Sequence, residues 1–267
     1  MDNGSKVQSY YQNSYDEHSR LERNPLEFMR SKEIISRYLA AGSPMQIADI
    51  GGATGPYSFW LASQGHSVHL LDFTLSHIEQ AKQYSKDHGI SLASYHCGDA
   101  RQLPYDDNSF DIVLLMGPLY HLQDKNDRLQ CIAEAKRVLK PGGPLLCALI
   151  SRYAALLDGF EHMAIDDEKY VELLDESLVT GLNSPGDTPY FTSAYFHTPS
   201  EAEGELIAAG FNNIDIIAIE GFARAVNVEE LLKNEKYTQL LLKYLRKTER
   251  APELLGMSDH FFAITRK

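Results

Sequence analysis

Apolar and polar positions follow two different spacings between residues 45 and 151. Short apolar runs recur, and the segments between them carry apolar residues at helical spacing. The run Phe110–Met116, almost entirely apolar, is typical of a strand buried on both faces. Repeated strand–helix units of this size predict an α/β fold, a parallel sheet with helices on both faces. The predicted strands are Met45–Ile50, Ser67–Asp72, Ile90–His96, Phe110–Met116 and Pro144–Ser151, and the predicted helices are Pro56–Gln64, Ser76–His88 and Asn126–Leu139.

This regular alternation stops after the fifth predicted strand, from about Arg152 to His197. A helical stretch, a turn-rich stretch and an aromatic cluster follow one another there, which indicates an insertion above the sheet. The alternation then resumes with further helices and two strands. The predicted elements of this half are the helices Asp166–Leu178, Glu201–Ala209 and Val228–Arg250 and the strands Asn213–Ile219 and His260–Thr265.

The 267 residues are enough for one α/β domain with additions, so we expect a single domain over residues 1–267. Residues 1–42 read as a helical lid in two pieces that divide near Asn24 and Pro25, because asparagine caps helices and proline suits their first turn. The other predicted parts are a cofactor-binding core at 43–151, a substrate-side insertion at 152–198, and C-terminal helices with the last two strands at 199–267.

Composition excludes several classes of partner. The formal net charge of −12 disfavours a nucleic-acid substrate, because binding a phosphate backbone requires a stripe of lysine and arginine. No apolar stretch approaches the length of a membrane span, and the polar N-terminus resembles no signal peptide. Three cysteines without CxxC spacing predict neither disulfides nor a zinc site, and no other grouping predicts a metal site. We therefore expect a cytoplasmic protein without metal or membrane.

The most informative motif is DIGGATGP, at the junction between the first strand and the first helix of the core. Small residues at Gly51, Ala53 and Gly55 would let the backbone pass close to a ligand. The motif differs from the dinucleotide fingerprint GxGxxG, because Ala53 replaces the middle glycine and Pro56 stands where the last glycine belongs. It therefore favours a nucleoside ligand without a pyrophosphate.

Two carboxylates follow the next two strands. Asp72 ends the second strand, where a carboxylate can accept hydrogen bonds from both hydroxyls of a ribose. A helix cap is the alternative role for Asp72 taken alone, and the glycine turn upstream favours the ribose. Asp99 follows the third strand in Gly98-Asp99-Ala100 and could accept a hydrogen bond from an adenine amino group.

DIGGATG, the strand-end Asp72, GDARQLPYDDNSFDIV and EAKRVLKPGG together resemble the class I S-adenosylmethionine-dependent methyltransferases. The resemblance is closest to the branch similar to ubiquinone/menaquinone-biosynthesis methyltransferases, and it is strong from about Ile47 to Ile150. It implies a Rossmann-like, mostly parallel seven-stranded sheet with an antiparallel last strand. Ala53 departs from the glycine of many members, but alanine is small.

The resemblance also implies contacts with S-adenosylmethionine. The glycine turn would approach the methionine part, Asp72 the ribose, and Asp99 with Ala100 the adenine, while the backbone of Gly117 helps to hold the amino group. An N-terminal helix folds over the cofactor in similar enzymes. The full set of expected cofactor contacts is Asp49, Gly51, Gly52, Ala53, Gly55, Asp72, Phe73, Asp99, Ala100, Gly117, Tyr11 and Arg20.

Methyl transfer requires alignment of the acceptor and exclusion of water, and a base only when the acceptor loses a proton. Tyr120 and His121 follow the fourth strand and are the predicted catalytic residues. Tyr15, Tyr195 and His197 are candidates for binding the acceptor. For His121 the alternative is a structural role in the loop, and for the aromatic insertion it is lid packing.

The function expected from these residues is methyl transfer from S-adenosylmethionine to a small molecule by in-line displacement. One alternative is a protein that binds the nucleoside without catalysis. A less favoured alternative is an NAD(P)-dependent oxidoreductase, which usually carries GxGxxG and a Tyr-xxx-Lys pair that the sequence lacks. The acceptor, the atom methylated and the oligomeric state stay open.

Overall fold

The computed structural model describes residues 24–186, 188 and 190–267. Seven of its strands form the central sheet, and two short ones form a separate hairpin. The strands in chain order are β1 (Gln46–Ile50), β2 (Ser67–Asp72), β3 (Ser94–Cys97), β4 (Ile112–Leu115), β5 (Pro144–Ile150), β6 (Leu182–Asn183), β7 (Ala194–Tyr195), β8 (Asn212–Ala218) and β9 (His260–Arg266).

The order of strands in the central sheet is β3-β2-β1-β4-β5-β9-β8. The first five run parallel, with Ile47 of β1 lying between Val68 and Ile112 of its two neighbours. The last strand, β9, runs antiparallel to both β5 and β8, and its first residue, His260, pairs with Ile150. The predicted mixed sheet is confirmed. The carboxyl ends of β1, β2, β4 and β5 and the start of β9 therefore meet at one edge.

Helices cover both faces of this sheet, as predicted. Alternate residues of β4 and β5 belong to different cores: Leu114 and Leu146 pack on one face, Val113 and Leu145 on the other. The helices in chain order are α1 (Pro25–Ser36), α2 (Pro56–Ser63), α3 (Leu75–His88), α4 (Pro118–His121), α5 (Lys125–Val138), α6 (Ala154–Glu161), α7 (Glu168–Thr180), α8 (Pro199–Ala208), α9 (Val228–Leu232), α10 (Glu235–Thr248) and α11 (Pro252–Leu255).

The C-terminal half departs from the sequence expectation in two places. The single helix expected over Val228–Arg250 is divided into α9 and α10, because Asn234 turns its side chain to accept a hydrogen bond from the amide of Tyr237 and starts a new helix. The insertion after β5 holds the helix α6 in addition to the expected one. Strand β3 is also shorter than expected, since residues 90–93 lie outside it.

Helix α1 is tied to the C-terminal part of the chain by a fully buried arginine. The guanidinium of Arg30 donates to Glu249 at 2.6 Å and to the carbonyl of Ile219 at 3.3 Å. A buried charge is tolerated only when it is paired and hydrogen-bonded in this way. The contact fixes α1 beside the carboxyl edge of the sheet. No helix in the described part of the chain has the length and apolar character needed to cross a membrane.

Candidate active site

The turn after β1 lies directly against the turn after β4. Gly51 has φ +72°, and a Cβ there would come within 2.6 Å of the ring of Pro118. A Cβ on Gly52 would lie 2.5 Å from the carboxylate of Asp49. These glycines are therefore required by packing within the protein as well as by any ligand. Ala53 adopts φ +50°, a left-handed conformation that costs a residue with a Cβ about 1 kcal/mol.

Asp72 stands at the end of β2 with its carboxylate largely committed to the protein. One oxygen accepts from the amide of Ala53 at 2.9 Å, and the other accepts from the amide of Thr74 at 2.8 Å and from Nδ1 of His77 at 3.0 Å. A carboxylate has about four acceptor positions. About one is left, so Asp72 has room for one ribose hydroxyl and not for both, unless His77 moves.

Asp99 lies after β3 and is paired with a residue that the sequence reasoning overlooked. Arg101 donates to it from its backbone at 2.8 Å and from its guanidinium at 2.6 Å, and it also reaches Asp127 at 2.8 Å. Burial opposes ionisation of Asp99, but these donors outweigh it and lower the pKa of the carboxyl. Phe73 is 42% exposed beside it, which leaves one face of an aromatic ring available for stacking.

A cavity of about 420 Å³ opens between these strand ends. Its wall includes most of the predicted cofactor contacts that the structure describes, together with Tyr120 and His121. The predicted residues that line it are Gly51, Gly52, Ala53, Asp72, Phe73, Asp99, Ala100, Gly117, Tyr120 and His121.

Two predicted contacts do not line this cavity. Gly55 begins α2 with φ +85°, and its position beneath Leu70 and Phe59 gives it a structural role. Asp49 is completely buried and accepts a hydrogen bond from the hydroxyl of Ser58 at 2.6 Å. Burial raises the pKa of Asp49 to about 6. Asp49 thus lies behind the glycine turn, where it supports the turn and does not face the cavity.

Tyr120 and His121 form α4 at the boundary of the cavity. The hydroxyl of Tyr120 donates to the carbonyl of Met116 at 2.9 Å, which fixes the turn after β4. The ring of His121 packs on Tyr120 and on Phe191 of the insertion, with centroids 4.7 and 6.0 Å apart. Burial lowers the pKa of His121 to about 4. The ring is therefore neutral near pH 7 and a weak base.

A second cavity, of about 730 Å³, lies on the other side of this boundary. The two cavities share the side chains of Tyr57, Met116 and Tyr120. The second cavity has an aromatic and apolar wall from the insertion and a polar wall from α1, α6 and the start of β9. Its polar wall is formed by Glu27, Asp158, Glu161, Arg224, Asp259 and His260, and its aromatic wall by Tyr170, Tyr190, Phe191 and Phe196.

The other predicted acceptor-binding residues lie elsewhere. The ring of Tyr195 is covered by the guanidinium of Arg128 at 3.7 Å, and His197 is fully buried with Nε2 3.4 Å from Glu205. Both side chains join the insertion to α5 and α8, which corrects the expectation that they bind the acceptor. Tyr11, Tyr15 and Arg20 lie outside the described residues.

Sequence reasoning overlooked His77, Arg101 and the whole polar wall of the second cavity. Spacing did offer a signal for two of these residues, because Arg101 is two positions from Asp99 and His77 is five positions from Asp72. No local pattern connects Glu27 with His260, since they come from opposite ends of the chain.

The site fits an adenosine-type cofactor by its shape and donor set. The cavity volume falls in the range of about 300–1,000 Å³ common for small-molecule sites. Asp72 and Asp99 lie on successive strand ends at the spacing of a sugar and a base, and the glycine turn is free of side chains. A sheet of this order with a cavity at its carboxyl edge defines a Rossmann-like fold of the class I methyltransferase type.

Comparison with known proteins agrees with that class. Residues 48–147 match the family model described as a methyltransferase domain. A demethylmenaquinone methyltransferase of Renibacterium salmoninarum is 32% identical over 122 residues, which are 46% of this chain and 48% of that protein. A ubiquinone/menaquinone biosynthesis C-methyltransferase of Vibrio campbellii is 28% identical over 183 residues, 66% of this chain and 68% of that protein. The chain spans about half the length of the first relative.

Solved structures show the same fold. An S-adenosylmethionine-dependent methyltransferase of Methanosarcina mazei superposes with a TM-score of 0.60 at 21% identity, covering 88% of this chain and 96% of that chain. Phosphoethanolamine N-methyltransferase 2 of Haemonchus contortus, solved with S-adenosylmethionine, gives 0.62 at 15% identity, with 98% and 60% covered. The chain therefore carries a class I S-adenosylmethionine-dependent methyltransferase domain. Among such domains it is similar to those of quinone-biosynthesis methyltransferases.

Proposed function

We propose that this protein transfers the methyl group of S-adenosylmethionine, held in the first cavity, to a small acceptor held in the second. The observation that carries the proposal is the boundary formed by Tyr57, Met116 and Tyr120, which belongs to both cavities. In-line displacement needs donor and acceptor on opposite sides of the transferring methyl, and two adjoining cavities provide that arrangement.

Residues of the first cavity would hold the cofactor by its three parts. Asp72 would accept from one ribose hydroxyl, Asp99 would accept from the adenine amino group, and Phe73 would cover the base. The backbone of Gly51 and Gly117 would hold the methionine end. The bound sulfonium supplies an electrophilic methyl group, so these residues need only to bind and orient.

The boundary residues would exclude water and align the acceptor. Tyr120 holds the Met116 carbonyl, and His121 packs between Tyr120 and Phe191. Since the pKa of His121 is about 4, we assign this residue to shaping the boundary and not to removing a proton.

The names of the similar proteins point to a quinone ring as one acceptor to try. The aromatic wall of Tyr170, Tyr190 and Phe191 could receive such a ring. The polar wall opposite would face its oxygen atoms or another polar group of a different acceptor.

Two measurements test the proposal. In isothermal titration, S-adenosylmethionine should bind and NADH should not. With the cofactor and a panel of small aromatic acceptors that includes a demethylmenaquinol analogue, S-adenosylhomocysteine should be released only when an acceptor is present. Binding of NADH alone would favour an oxidoreductase. Cofactor binding without release for any acceptor would favour a non-catalytic binding protein.

A further inference from the structure

The polar wall of the second cavity contains a histidine held by a carboxylate. Nδ1 of His260 lies 2.8 Å from a carboxylate oxygen of Glu220. A carboxylate only accepts hydrogen bonds, so Nδ1 carries the proton and Nε2 carries the lone pair. His260 lines the cavity, and Nε2 is therefore the ring nitrogen that can accept a proton from a ligand there.

Glu220 is itself fixed, which makes the orientation of the ring rigid. Its second carboxylate oxygen accepts from the hydroxyl of Ser258 at 2.8 Å and from the amide of His260 at 3.0 Å. Ser258 in turn accepts from the amides of Glu220 and Gly221. A histidine whose one nitrogen is held by a fixed carboxylate is the arrangement of a base with its orienting group.

The sheet places this pair close to the boundary between the cavities. His260 pairs with Ile150 at the end of β5, and β5 lies next to β4, whose end leads into Met116. Two strand spacings of about 4.8 Å separate the ends of β4 and β9, so an acceptor of modest size reaches from Met116 to His260. Ile150 and Ala148 line the cavity between them.

Charged groups on every side of His260 favour its protonated form once a proton arrives. Besides Glu220, Glu27 on α1 approaches Nδ1 at 3.8 Å. Asp259 precedes it in the chain and is paired with Arg224 at 2.9 Å, and Arg224 is also paired with Glu161. The carboxylates near His260 outnumber the single arginine, which stabilises an imidazolium.

We propose that His260, oriented by Glu220, is the proton-accepting residue of the second cavity, and that the acceptor is a protic nucleophile, a hydroxyl or an amine. The acceptor lone pair forms the new bond to the methyl carbon while the sulfur–methyl bond breaks and its electron pair stays on sulfur. The acceptor proton passes to Nε2 of His260. This proposal rests on the proposed function, because it names the acceptor class of that same reaction.

The first test needs no acceptor. Nitrogen NMR of histidine-labelled protein, saturated with S-adenosylhomocysteine at pH 8, should show His260 with a proton on Nδ1 and none on Nε2. His260→Gln assigns the signal. Glu220→Gln should lower the pKa of His260 by about one unit or more, because a neighbouring charge is lost while the hydrogen bond is kept. A proton on Nε2 at pH 8, or an unchanged pKa in Glu220→Gln, would overturn the proposal.

The second test uses turnover with catechol, tyramine and 1,4-naphthohydroquinone as probes. His260→Gln should lower kcat about 10²- to 10⁴-fold without changing the dissociation constant of S-adenosylmethionine. Added imidazole should restore part of the activity of His260→Ala. In the wild type kcat/KM should rise with pH through the pKa of His260, and Glu220→Gln should move that rise to lower pH. His88→Gln, on the exposed end of α3, is the matched control and should behave as wild type.

Other results contradict the base role. Retained kcat in His260→Gln would do so, as would loss of the pH-dependent rise in Asp259→Asn but not in His260→Gln. Glu27, Glu220 and His260 also have ligand atoms within 4.8 Å of one another, so Zn²⁺ alone is a further probe. Tight Zn²⁺ binding that Glu27→Gln abolishes would make the cluster a metal site instead. Failure of S-adenosylmethionine to bind the wild type would overturn the proposed function separately.

Discussion

The buried pair of Arg128 and Glu205 allows a quantitative prediction. Arg128 donates to Glu205 at 2.7 Å and to the carbonyls of Leu122 and Gln123 at 2.9 and 2.8 Å. These two residues line the first cavity. The pair therefore connects α8 to the cofactor-side loop, and replacing Glu205 by Gln should weaken the fold where it supports the site.

The magnitude follows from the shifted pKa. Although burial opposes ionisation, Arg128 and His197 lower the pKa of Glu205 from 4.5 to about 2. At about 1.4 kcal/mol per unit the upper limit is about 3 kcal/mol, and partial solvation of the carboxylate reduces the expected loss to about 2–3 kcal/mol. Because the folded pKa is depressed, this stability is complete well above pH 4.5 and is lost as pH falls toward 2.

Urea unfolding at pH 7 should show the full difference between wild type and Glu205→Gln, and at pH 4 the difference should shrink by about 1 kcal/mol. Glu203→Gln, on the exposed face of the same helix, is the control. A loss below about 0.5 kcal/mol at pH 7, or a difference that grows on acidification, would refute the assignment of a stabilising buried pair.

Three further predictions concern the site. Gly52→Ala should destabilise the protein by about 1–3 kcal/mol or more in urea unfolding, because the new Cβ would lie 2.5 Å from Asp49; wild-type stability would contradict this contact. In the wild type, stability should fall by about 2–3 kcal/mol as pH rises from about 4 to 6, because burial raises the pKa of Asp49 and the folded state holds its proton longer; thermal unfolding of Asp49→Asn should lack that decline. His121→Ala should lower turnover more than cofactor affinity and leave the pH profile above about pH 6 unchanged, since the ring is already neutral there; a shifted profile would argue for a base.

The sheet could be predicted because its strands are buried on both faces. Runs such as Ile112–Leu115 need no tertiary information to be recognised, and glycines mark the turns between units. The long C-terminal helix was predicted wrongly, since its apolar spacing continues across Asn234 and only the side-chain cap reveals the break.

The cofactor side could be predicted better than the acceptor side, for a physical reason. Strand ends place Asp72 and Asp99 by topology alone, and both line the first cavity. The second cavity is assembled from α1, the insertion and the start of β9, so Glu27 and His260 meet only after folding. Tyr195 and His197 were misplaced because an aromatic and a histidine in an insertion look alike whether they bind a ligand or pack around buried arginines.

The most direct test of the account is the affinity for S-adenosylmethionine when its two carboxylates are neutralised. Titration calorimetry should show binding to the wild type and a weaker affinity in Asp72→Asn and in Asp99→Asn, each by about 1.5–3 kcal/mol, the value of a hydrogen bond to a charged group. The double variant, checked for a folded far-ultraviolet spectrum, should show no measurable binding. A wild type that fails to bind, or a folded double variant that binds as tightly as the wild type, would contradict the assignment of this cavity to the cofactor.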